Sequence, residues 1–70
     1  MHRIPVTSSN IASIGYDQPS GVLEVEFTSG DVYRYFNVPT HLYQQFLHAS
    51  SHGEFLNEYI KFNYRYQKVS

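Results

Sequence analysis

The chain has 70 residues, including seven Tyr, five Phe and no Cys, with a formal net charge of −1 at neutral pH. That length holds one domain with a small core, burying roughly 60% of the surface its unfolded form exposes. Without cysteine there is no disulfide and no thiolate zinc site, so aromatic bulk, ~150–250 Å² per buried ring, must build the interior.

The first residues, Met1 to Val6, lack the apolar run of a signal peptide, and no stretch approaches membrane length. A soluble, cytoplasmic protein without membrane contact is expected. Arg3 to Thr7 is a candidate short edge strand. Ile11 to Tyr16 alternates Ala12, Ile14 and Tyr16 with Ile11, Ser13 and Gly15, and Asp17 to Gly21 then supplies turn residues. Val22 to Thr28 sets Leu23, Val25 and Phe27 against Val22, Glu24, Glu26 and Thr28; a turn ending at Gly30 leads into Val32 to Asn37. A type I turn with a bulge at Gly30 fixes the pairing: Val25 faces Tyr33, Leu23 faces Tyr35, and Glu24 faces Arg34, an opposite-charge pair. A one-residue slip would set Val25 against Arg34.

Two helices should follow. Pro39 suits a first helical position, and Leu42, Phe46 and Ala49 then share a stripe flanked by Tyr43 and Leu47. Ser51 with Glu54 matches a capping box and starts a second helix with Phe55, Leu56, Tyr59 and Ile60 as its stripe. The expected architecture is α+β: an antiparallel three-stranded β-meander, with the short N-terminal edge strand beside it, covered on one face by two C-terminal α-helices. Residues 1–70 form a single domain with its core at about 7–66.

The sequence resembles the KTSC domain. The resemblance runs through Ser8-Ser9-Asn10-Ile11, Ile14-Gly15-Tyr16-Asp17 and Leu23-Glu24-Val25-Glu26-Phe27. It continues through Ser29-Gly30, Tyr33-Arg34-Tyr35, Val38-Pro39 and Tyr43, and ends with Ala49 to Gly53, Phe55-Leu56-Asn57 and Ile60. Such domains occur as small bacterial proteins and at the C-terminus of some lysyl-tRNA synthetases. The resemblance thus implies RNA as a partner, and it carries over no catalytic or binding residue. Tyr64-Arg65-Tyr66 stands where the family's tail has Tyr-Pro-Tyr.

Charge is uneven along the chain. Residues 1–58 hold two arginines against all six acids, whereas residues 59–70 hold Lys61, Arg65 and Lys68 and no acid. This basic segment interleaves its cations with Tyr64 and Tyr66, the composition of a phosphate-plus-stacking surface. Lys61, Tyr64, Arg65, Tyr66 and Lys68 are therefore the candidate nucleic-acid residues. The structural alternative is a helix end whose cations favour the dipole, followed by a tail docking its tyrosines on the core. Tyr33 and Tyr35 share the Leu23/Val25 face, so they are read as core packing beneath the helices.

The opposite face supplies a second candidate surface, for a protein partner or a second copy, at Val22, Val32, Arg34 and Phe36. His41 and His48 lie two helical turns apart, ~10 Å, too far to share an ion unaided. A break separates His48 from His52, so the histidines are read as exposed helix and loop residues. No nucleophile elbow or glycine-rich phosphate loop occurs. A non-catalytic binding module without metal or cofactor is expected.

Overall fold

A computed structural model describes residues 1–70. It places β1 (Arg3–Pro5), β2 (Ile11–Asp17), β3 (Val22–Phe27), β4 (Val32–Tyr35) and, at the chain's end, β5 (Tyr66–Lys68) in one antiparallel sheet of order β1-β2-β3-β4-β5. Between β4 and β5 come α1 (Thr40–Leu47), α2 (His52–Phe55) and a π-helical turn, Leu56–Ile60. The α+β class holds. The sheet has five strands where the sequence indicated three and a short edge strand.

The extra strand answers a backbone requirement. The outer edge of β4 carries N–H and C=O groups that need partners. The tail returns to supply them: Tyr66 pairs with Tyr35, Gln67 with Arg34 and Lys68 with Tyr33. The pairing extends at both ends, with the Phe36 N–H donating to the Arg65 carbonyl and the Val32 N–H to that of Ser70. The tail thus docks as a strand.

Pairing of β3 with β4 follows the turn. Gly30, at φ 98°, donates its N–H to the Phe27 carbonyl, and the Phe27 N–H donates to that of Asp31. Leu23 then faces Tyr35, Glu24 faces Arg34, and Val25 faces Tyr33, as the charge pairing required. Strand β2 departs from strict alternation. Ile11 pairs with Phe27 but Ser13 with Glu26, leaving Ala12 as a bulge. The bulge turns Ile11 to the same side as Ile14, and both are fully buried.

Across the sheet, Tyr16, Leu23, Tyr35 and Tyr66 form one row on the helix side, and Ile14, Val25 and Tyr33 form the next. The core lies where Leu23 and Val25 meet Phe46, Leu56 and Ile60. Helix α1 starts one residue after the expected position. Pro39 is its N-cap, in extended conformation, and the helix ends at Leu47, two residues short of Ala49. The Ser51 hydroxyl accepts from the Glu54 N–H at 3.3 Å, which starts α2. The second helix is one α turn followed by the wider π turn, closed where the Lys61 N–H donates to the Leu56 carbonyl at 2.8 Å. No helix is long and apolar enough to cross a membrane.

Candidate functional site

Leu23 and Val25 are sealed, yet Phe27 and Tyr33, on the same side of the sheet, are only half-buried. The helical layer covers the centre and leaves this corner free. A cleft of about 400 Å³ lies there between the sheet and the π turn. Its aromatic lining comes from Phe27, Tyr33, Tyr35 and Tyr66, with Leu56 contributed by the turn. Phe27 meets Tyr33 edge to face at 5.6 Å between centroids, and Tyr66 lies 5.7 Å from Tyr33 and 5.9 Å from Tyr35. Tyr35 is only 3% exposed, and Tyr33, though it packs against the core, keeps part of its ring open to the cleft.

The Tyr35 hydroxyl makes no hydrogen bond within the chain, although every fully buried side-chain polar atom has one. Its oxygen therefore keeps contact with solvent, and the cleft is where it finds it. Burial first, then the neighbouring phenols of Tyr33 and Tyr66, push its pKa up to about 12. The group is a neutral phenol, able to donate, throughout the physiological range.

Polar groups stand at the rim. The π turn places one of them. In an α-helix, a residue five positions on is rotated by ~140°. The Lys61-to-Leu56 hydrogen bond instead brings Lys61 round over Leu56, and both line the cleft with Asn57. Such turns recur at functional sites. Lys61 has no carboxylate within 4.0 Å, whereas Lys68 approaches Asp31 at 3.5 Å. Asn10 lines the cleft from the loop before β2 and rests against Gly53, where a Cβ would lie 3.3 Å from its Nδ2.

The five candidate nucleic-acid residues are thus divided. Lys61 and Tyr66 line the cleft, and Lys68 shares the helix-side face next to Tyr33. Tyr64 is half-buried and packs against the core. Strand alternation sends Arg65 to the other face, its guanidinium 5.8 Å from the Phe36 ring centroid. Phe27, Asn10 and Asn57 were not singled out from sequence. The position of Phe27 on the Leu23/Val25 stripe was the available signal, and for the two asparagines it was only their place in the resemblance, at Ser8-Ser9-Asn10 and Phe55-Leu56-Asn57.

On the opposite face, Val22 and Phe36 are half-buried and Arg34 is exposed, but Val32 is only 8% exposed and offers no surface. The centre of that face is Glu24, 5% exposed. Arg3 Nη1 donates to its Oε2 at 2.6 Å and Arg34 Nε to its Oε1 at 2.8 Å. Burial pushes the Glu24 carboxyl up, but hydrogen bonds and charge from Arg34 and Arg3 outweigh it and hold it below its ordinary 4.5. His41 and His48 are exposed as expected. His52 is half-buried, its Nε2 donating to the Leu47 carbonyl at 3.1 Å, and it ties α2 to the end of α1.

A five-stranded antiparallel sheet with partial helical cover and an aromatic corner defines a small α+β domain class. The KTSC domain pattern matches residues 7–69, and the chain belongs to that family. An uncharacterized protein of Stutzerimonas stutzeri is 43% identical over 70 residues, 99% of either chain. The crystal structure of a KTSC domain protein from Yersinia pestis superposes with a TM-score of 0.95 at 39% identity, covering 99% of this chain and 97% of that one. A lysine–tRNA ligase of Nostoc punctiforme is 36% identical over 62 residues, 89% of this chain but 11% of the ligase.

Proposed function

We propose that this domain is a non-catalytic module that binds single-stranded RNA in the cytoplasm, at the aromatic corner of its helix-side face. The observation that carries the reading is the juxtaposition of part-exposed Tyr33 and Tyr66 with Lys61, a cation no carboxylate neutralises. Base stacking on aromatic rings contributes ~1–3 kcal/mol per base, and lysine supplies the phosphate attraction. The matching segment in lysine–tRNA ligases, enzymes whose substrate is an RNA, supports the same ligand class.

Titration of a short single-stranded RNA, followed by NMR, tests it. Resonances of Tyr33, Tyr66 and Lys61 should move at ~50 mM salt, and affinity should fall about tenfold by ~200 mM if two or three phosphates are contacted. Fixed resonances at the lower salt would sink the reading. A protein partner on the opposite face is the second reading, since Val22 and Phe36 keep some exposure beside Arg34. Phe36→Ser should then abolish partner capture and leave any RNA titration unchanged.

A further inference from the structure

From the cleft between β3–β4–β5 and the π turn, we infer that one nucleotide of the RNA is pulled out of the strand, its base held against the aromatic rings with a ring carbonyl accepting from the Tyr35 hydroxyl. This rests on the RNA-binding reading and adds a pocket to it. A stacking platform alone would need only exposed rings. Tyr35 is different in kind: its ring is almost wholly buried and its hydroxyl has no partner in the chain. With no acceptor inside the chain, a hydroxyl that reaches solvent through the cleft is free to donate to a ligand's acceptor there. A base carbonyl entering the cleft would meet it.

Size and charge agree with a single nucleotide. Small-molecule sites run from roughly 300 to 1,000 Å³, and about 400 Å³ admits one base with its sugar, not two stacked bases. Phe27, Tyr33 and Tyr66 supply the apolar sides. At the rim, Asp31 repels a phosphate and Lys61 attracts one, so the backbone should pass over the π turn. Asn57 and Asn10 are within the lining and offer amide groups to the base edge. The site's chemistry is that of recognition by stacking and hydrogen bonding, the manner in which splayed single-stranded bases are read.

Tyr35→Phe is the decisive variant, because it removes only the hydroxyl and keeps the ring that packs the core. Wild type and variant are titrated with four-nucleotide oligouridylate and oligoadenylate at ~50 mM salt, with NMR as the readout and urea unfolding as the control for stability. Oligouridylate should bind wild type more tightly than oligoadenylate, which has no ring carbonyl. Tyr35→Phe should lose about five- to tenfold for oligouridylate and show little preference. If both oligonucleotides bind, yet the variant keeps wild-type affinity and preference, the pocket is wrong and surface binding stands. If neither moves any resonance in wild type, the pocket and the RNA-binding reading both fall. Lys61→Gln provides a second readout: it should weaken both oligonucleotides alike and leave the preference intact, and a changed preference would contradict the assignment of Lys61 to phosphate.

Discussion

Leu23 and Glu24 are neighbours in β3, point to opposite faces, and are 0% and 5% exposed. Leu23 disappears beneath a layer of helices. Glu24 has no layer above it; two arginines from β1 and β4 close over its carboxylate instead. Arg3 reaches Glu24 by crossing β2 at Gly15, its register partner, where a Cβ would stand 2.9 Å from Arg3 Cγ and from the His2 carbonyl. A chain of 70 residues has material to cover one face of its sheet with helices. On the other, long side chains that lie flat do the covering, and their charge keeps that face from becoming an apolar liability. The two faces should therefore fail differently.

The largest effect belongs to the helix side. Phe46→Ala empties a fully buried ring position and should cost about 3–5 kcal/mol, enough to unfold much of the population, as urea denaturation would show. Glu24→Ala tests the opposite face. It leaves two guanidinium groups without their shared acceptor, and because both arginines are partly solvated the expected loss is smaller, about 1–2 kcal/mol. A loss as large as that for Phe46→Ala would show that the ion pairs anchor the fold as strongly as the core.

The same face should answer to pH. Because folding lowers the Glu24 pKa, its contribution is fully present above the ordinary 4.5 and disappears as pH falls through the lowered value. Thermal unfolding between pH ~5 and pH ~3 should show a drop for wild type and a flatter profile for Glu24→Gln. Equal slopes would mean that other carboxylates govern acid sensitivity. Gly15→Ala should cost about 1 kcal/mol by displacing Arg3, and less when Arg3 is already Ala; an unchanged cost in that background would place the clash on the His2 backbone. Smallest of all, Lys68→Ala removes an exposed pair and should change stability by less than ~0.5 kcal/mol.

The contrast also explains what could be read in advance. Pairing of β3 with β4 was legible because Gly30 fixes the turn and a slip would have set Arg34 against Val25. The outer partner of β4 was not. Tyr66, Gln67 and Lys68 are all exposed and alternate no apolar face, so the pattern of a buried strand is absent. Parity failed at Ala12 because a bulge leaves no compositional mark. The π turn was equally silent: Leu56 and Ile60 fit an ordinary helical stripe whichever hydrogen bonds close the turn. The candidate site suffered from both omissions. Lys61 and Tyr66 were chosen for charge and ring, but only the strand and the wide turn bring them together, and the same strand sends Arg65 away.

The wide turn after α2 holds one residue more than regular helical winding would need. Loss of a single codon there would let the turn rewind as α-helix and present a different side chain above the cleft. The segments on either side, β5 included, could keep their places. Natural length variation at this one point would thus change the lining of the cleft without rebuilding the domain.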